Sequence, residues 1–224
     1  MDINTDKIGC LFDLDGVLVD TAVYHYQAWK ALANSLGFDF TEAQNEHLKG
    51  VNRMKSLEMI LNWGNVTKTE VEMAQLAAAK NEQYVGMISK MTADEVLSGT
   101  LPLLEQLKAA GIKIALGSAS KNSGMILERT NLAHFFDAII DGNHVNASKP
   151  DPEVFLKGAA ALELEPANCI VFEDAQAGVQ AAINGGMKVI GIGQQENLKG
   201  ANMVIKDLSE INVQEIIALV NNRA

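Results

Sequence analysis

The chain has 224 residues, 48% of them hydrophobic and 21% charged, and a formal net charge of -10. That length holds one large domain or a domain with an inserted module, and the acidic balance argues against nucleic acid and anionic membranes as partners. Two cysteines in apolar runs, four histidines without ligand spacing and no apolar stretch near the ~18 residues of a membrane span argue against a disulfide framework, a zinc centre or a membrane anchor. The start, Met1-Asp2-Ile3-Asn4-Thr5-Asp6, has neither the basic nor the apolar stretch of a signal peptide, so a cytoplasmic protein is expected.

Taken in order, the first element is a short apolar run, Gly9 to Phe12, that reads as a buried strand. It ends in Asp13-Leu14-Asp15-Gly16, with Gly16 placed to turn the chain sharply. Residues 21 to about 92 then show only helical patterns. Tyr26, Trp29, Leu32, Ala33 and Leu36 share one helical face before Gly37. Thr41 and Gln44 form a capping box, and Asn52 can cap a helix that stops at Gly64. Thr69 opens a longer helix through about Ile88. From about residue 100, helix and strand alternate. A helix over Leu101–Ala110 stops at Gly111, and Ile112–Leu116 is a strand. Asn122-Ser123 can cap a helix to about Arg129, and Ala138–Ile140 is a short strand. Asp151-Pro152 supplies an N-cap and an N1 proline for a helix to about Leu162. Cys169–Phe172 is a strand, Ala175–Asn184 a helix, and Lys188–Ile192 and Met203–Ile205 are strands.

This order predicts an α/β protein: a Rossmann-like, doubly wound parallel sheet with an inserted all-helical cap. The expected division is a core of residues 1–18 and 93–224 and a cap of residues 19–92.

Reactive residues fall at strand ends, where open α/β sheets bind ligands. They are Asp13 and Asp15, then Ser118, then Lys149 before a helix, then Glu173 and Asp174. Crowded carboxylates repel by about 4 kcal/mol at 4 Å. A divalent cation with oxygen ligands relieves this, and Mg²⁺ suits the type. Lys149 and the Ser118 hydroxyl suit phosphoryl oxygens. Asp13 can attack phosphorus, and Asp15 can move the proton.

The run Asp13-Leu14-Asp15-Gly16-Val17-Leu18-Val19-Asp20 resembles the signature of the haloacid dehalogenase superfamily, D-x-D-G-x-[LV]-x-D. Ser118, Lys149 and Glu173-Asp174 match that family's later motifs. The resemblance implies Asp13 as nucleophile, Asp15 as general acid/base and a required Mg²⁺. Its ligands would be Asp13, the main-chain oxygen of Asp15, Glu173 and Asp174.

Further segments resemble the superfamily's sugar-phosphate mutases. These are Thr21-Ala22, His25 and Ala28-Trp29-Lys30, then Leu48-Lys49-Gly50-Val51-Asn52-Arg53 with Ser56, then Ser118-Ala119-Ser120-Lys121-Asn122. Basic side chains at helix starts also suit phosphate on physical grounds. The resemblance implies that Arg53, Lys121 and Asn122 hold a second phosphate, with Gly50, Trp29, Ser56, Ala119 and Ser120 beside the sugar. Lys49 and His25 would organise the cap over Asp13, although His25 shares a face with Trp29, Leu32 and Leu36 and fits simple packing as well. The implied reaction interconverts β-glucose 1-phosphate and glucose 6-phosphate through β-glucose 1,6-bisphosphate. The expected partners are small sugar phosphates, with no nucleic acid or membrane, and the expected state is a monomer. A sugar-phosphate phosphatase on the same scaffold and a non-catalytic phosphosugar-binding protein stay open. One departure is Ser98-Gly99 at the return from cap to core, where the family often has Pro-Gly.

Overall fold

A computed structural model describes residues 5–222 of the chain. Residues 1–4 and 223–224, the two ends of the expected core, lie outside the described residues. Six strands form one parallel sheet: β1 (Gly9–Phe12), β2 (Lys113–Gly117), β3 (Ala138–Ile140), β4 (Cys169–Glu173), β5 (Lys188–Ile192) and β6 (Met203–Ile205). Their order is β3-β2-β1-β4-β5-β6. The order reverses beside β1, the switch point at which such sheets open a crevice.

Strand side chains alternate between faces, and both faces of this sheet are covered. Cys10 and Phe12 join a cluster completed by α5 (Thr100–Ala109), α6 (Ser123–Arg129) and α9 (Val213–Asn221). Leu11 points the other way, into a cluster with α7 (Glu153–Ala161) and α8 (Gln176–Asn184). Phe12 and Phe172 stack with centroids 4.4 Å apart, locking β1 to β4 just below the strand ends. β1 is wholly buried, as a run too short and too apolar for any other place in the sheet requires.

Between β1 and α5 stand α1 (Ala22–Ser35), α2 (Glu42–Glu46), α3 (Arg53–Trp63) and α4 (Glu70–Ile88). They bury their own cluster, centred on Trp29, Phe40, Leu57 and Ile60. The Thr41 capping box and the Asn52 cap form as their sequences predict. The chain passes between the layers where Val19 pairs with Val96 and Leu97 N–H donates to the Leu18 carbonyl.

Three local expectations differ from the structure. Pro152, not Asp151, occupies the cap position of α7, and Asp151 reaches past it to accept from Glu153 N–H at 2.9 Å. Asn122 stands at the N-cap of α6 without capping it: its backbone, at φ -107° and ψ 11°, is not extended as a capping residue's is, and its Nδ2 donates to Asn81 Oδ1 in the helical layer. The pattern above leaves α9 unassigned, yet Asn212 and Glu215 close a capping box at its start.

Candidate active site

The ladder carries β1 up to the site: Asp13 N–H donates to the Phe172 carbonyl at 3.0 Å, so Asp13 leaves the sheet beside the end of β4. Glu173 ends β4 and Asp174 follows it. Gly16 turns with φ +80°, and a Cβ there would lie 2.3 Å from Asp174 Oδ2. Only glycine takes that conformation without strain and lets the two loops approach this closely. Oxygens of Asp13, Glu173 and Asp174 gather within 4.8 Å of one another.

Lys149, on the loop before α7, is buried and donates to Asp13 Oδ1 at 2.5 Å and also to Glu173. Burial pulls its ammonium toward neutrality, but the two carboxylates outweigh that and hold it charged. Burial, reinforced by Asp13 and Asp174, raises the Glu173 carboxyl against the pull of Lys149. The Asp174 carboxyl is pushed up to about 6, first by burial, with Lys49 opposing. Lys49 extends from the turn after α2 to within 3.0 Å of Asp174 Oδ2, an ion pair across the two layers. Three converging carboxylates, hard oxygen donors throughout, fit a small divalent cation such as Mg²⁺.

Asp15 accepts from Thr21 Oγ1. Its carboxyl is pushed up to about 7, by burial first and by Asp13 second. The 26% of its side-chain surface that stays exposed opens on the cavity described below, so bulk water does little to screen it. A carboxyl near neutrality suits a group that must both give and take a proton. His25 Nε2 lies 3.9 Å from Asp15 Oδ1, and the ring packs on Tyr84 at 4.2 Å. Burial, then Lys80 and Arg53, lowers His25 well below its usual range. The imidazole is therefore neutral, and Lys80 Nζ, 3.1 Å from Nδ1, donates to it. This network assigns the ring proton to Nε2, facing Asp15.

A cavity of about 530 Å³ lies between the layers. Asp13, Asp15, Lys149 and Asp174 line it. Lys49, Gly50, Arg53 and Ser56 line it from the cap, with His25 and Trp29, and Ala119, Ser120, Lys121 and Asn122 line it from the core. Ser118 and Glu173 do not line it. Both are fully buried beneath, and the Ser118 Oγ accepts from Ser120 N–H at 3.1 Å, holding the loop after β2. Among the described residues, neither Arg53 nor Lys121 has an ion-pair partner. The layers meet through Lys49–Asp174, through Asn52 Nδ2 donating to Ser148 Oγ at 3.0 Å and through Asn122 Nδ2 donating to Asn81 Oδ1 at 3.0 Å.

Sequence reasoning passed over Lys80. It is buried on the inner face of α4 with Ala77, Tyr84 and Ile88, and its ammonium lies 4.3 Å from the Trp29 ring centroid. A lysine at a core position of an amphipathic helix was the available signal. Burial, then Arg53, lowers it from 10.5 to about 7. As pH falls from 10.5 toward 7 the unfolded chain takes up a proton that the folded chain refuses, so stability is lost across that window. Lys80→Met should raise the melting temperature at pH 6 by at least ~3 °C, the effect of roughly 1 kcal/mol at this size. The gain should shrink as the pH is raised toward 10; a pH-independent gain in melting scans would contradict the buried charge.

A family model of haloacid dehalogenase-like hydrolases matches residues 10–192. β-Phosphoglucomutase of Bacillus subtilis is 43% identical over 91% of this chain and 91% of its own length. The crystal structure of β-phosphoglucomutase from Clostridium difficile matches with a TM-score of 0.92 at 41% identity, covering 95% of this chain and 96% of that one. A phosphorylated carbohydrates phosphatase of Thermotoga maritima is 29% identical over 80% of this chain and 82% of its own length. Among the described residues no helix is long and apolar enough to cross a membrane.

Proposed function

The chain belongs to the haloacid dehalogenase-like hydrolase family, and from that premise we propose that it is a mutase interconverting β-D-glucose 1-phosphate and glucose 6-phosphate. The observation that carries this reading is a single cavity lined both by carboxylates with Lys149 and by two cations without an ion-pair partner among the described residues, Arg53 and Lys121. A bisphosphate needs both ends. One phosphate reacts while the other is gripped, and the molecule then turns around.

In this reading Asp13 is the nucleophile and forms an aspartyl phosphate. Asp15 protonates the departing sugar oxygen and, in the reverse sense, deprotonates the incoming hydroxyl. Lys149 holds Asp13 in place and donates to phosphoryl oxygens, while Ser118, buried beneath the cavity, positions the loop after β2 beside them. Asp13, Glu173, Asp174 and the main-chain oxygen of Asp15 would hold Mg²⁺, whose charge stabilises the transferring phosphoryl group. His25 and Lys49 organise the cap. Arg53, Ser120, Lys121 and Asn122 bind the distal phosphate, with Gly50, Trp29, Ser56 and Ala119 around the sugar. The three contacts between the layers support exclusion of water from the aspartyl phosphate, which a mutase needs and a phosphatase does not. β-Glucose 1,6-bisphosphate is the intermediate and activator. We place the cap at 19–92 and the core at 1–18 and 93–224, and read the protein as a cytoplasmic monomer acting on small sugar phosphates, without nucleic acid or membrane.

Arg53→Ala and Lys121→Ala test the two-ended site. Each removes a charge-assisted contact of roughly 1.5–3 kcal/mol, so isomerisation should fall about 10- to 150-fold. Hydrolysis of acetyl phosphate, which has no second phosphate, should fall far less. Equal losses in the two assays would remove the distal subsite.

A further inference from the structure

Asn45 is one of the few buried polar residues outside the site residues assigned above. It sits in α2, directly after the Thr41–Gln44 capping box, and its backbone is fully engaged. Its N–H donates to the Thr41 carbonyl at 3.1 Å, and its own carbonyl accepts from Leu48 N–H at 2.9 Å. Only the carboxamide is left over, and among the described residues it has no hydrogen bond. It is not sealed in, however. The fully covered side-chain atoms without a partner are the Tyr84 hydroxyl and Asp174 Oδ2, so the Asn45 carboxamide keeps its polar atoms open, and the space it borders is the cavity between the layers.

A residue only 8% exposed whose unbonded donor and acceptor open on the cavity is placed to pair with a polar group of a bound ligand. Asn45 stands in α2, just before the turn that carries Lys49, and both line the cavity between the layers. The charges in that cavity answer the phosphates. A neutral carboxamide answers a group that both donates and accepts, and on a sugar bisphosphate that group is a free ring hydroxyl.

Resting on the mutase reading above, we propose that Asn45 is a specificity-determining residue that hydrogen-bonds one free hydroxyl of the glucosyl ring. It selects the sugar, while the cations select its phosphates. A site that pairs a hydroxyl discriminates against the analogue lacking it, because its own polar group is then left unpaired.

The test is a specificity series. Wild type and the volume-matched Asn45→Leu are assayed with β-glucose 1-phosphate and its 2-, 3- and 4-deoxy analogues, with Mg²⁺ and bisphosphate present. Wild type should lose about tenfold or more in kcat/KM on one analogue in particular. Asn45→Leu should lose a similar factor on the parent sugar and show no further penalty on that same analogue, while its penalties on the other two stay as in wild type. A merely structural role would lower all four substrates together, and that outcome overturns the proposal. So does an Asn45→Leu enzyme that keeps every wild-type penalty. If Asn45→Leu shows no melting transition, Asn45→Ala runs the same series. Failure of the wild type to isomerise the parent sugar overturns the mutase reading and this one with it; wild-type isomerisation with an unchanged deoxy pattern overturns only this one.

Discussion

Asp13→Asn is expected to cut phosphoryl transfer by on the order of 10⁴–10⁶-fold, the scale seen when a covalent nucleophile is removed. The amide is a poor nucleophile and a poor ligand for a hard cation. The fold should survive, since Asp13 holds its place in the sheet through its backbone N–H to Phe172. Lys149 loses one carboxylate but keeps Glu173, so it is not stranded without a counter-charge. Turnover and thermal melting measured on the same sample separate the two effects. Turnover near the wild-type value would rule out an aspartyl phosphate at Asp13.

Asp15→Ala should slow both phosphorylation of the sugar and dephosphorylation of the enzyme, each by about 10²–10⁴-fold, because one group serves both proton transfers. The Thr21 hydroxyl and the neutral His25 imidazole fix where that carboxyl points, but neither replaces its proton. Single-turnover measurements of each half-reaction would show matched losses. A defect confined to metal affinity would show that Asp15 only helps to hold the cation.

Much of this was legible in the sequence because the sheet is simple to read. β1, β2 and β4 are short apolar runs that end abruptly in polar residues, and a parallel strand buried on both faces has no other appearance. Their ends carry the chemistry, so the fold class and the place of the site came from the same runs. The capping box at Thr41 marked a helix start for a local reason, as did Thr69 and the Asn52 cap. What escaped has a common physical cause. Lys80, Asn45 and Asn81 take their surroundings from the tertiary fold: nothing local distinguishes a lysine that lies against Trp29 from one in water, or an asparagine facing a cavity from one facing solvent. Asn122 misled as well, since its backbone is not extended as a capping residue's is and its Nδ2 donates across the interlayer gap to Asn81. α9, by contrast, carried a readable box at Asn212 and Glu215.

The central claim is that one phosphoenzyme serves both ends of a sugar bisphosphate. The most direct test supplies the purified protein with Mg²⁺, β-glucose 1-phosphate and a trace of β-glucose 1,6-bisphosphate, and follows glucose 6-phosphate and free phosphate in the same reaction. Glucose 6-phosphate should accumulate far faster than phosphate. The α-anomer should be a poor substrate, because inversion at C1 misaligns its phosphate with Asp13 while the distal grip holds. Chelation of Mg²⁺ should stop turnover, since Asp13, Glu173 and Asp174 would then repel the incoming phosphoryl group. Rapid phosphate release without isomerisation would contradict the mutase and leave a phosphatase, and no turnover on any phosphosugar would contradict catalysis at this site altogether.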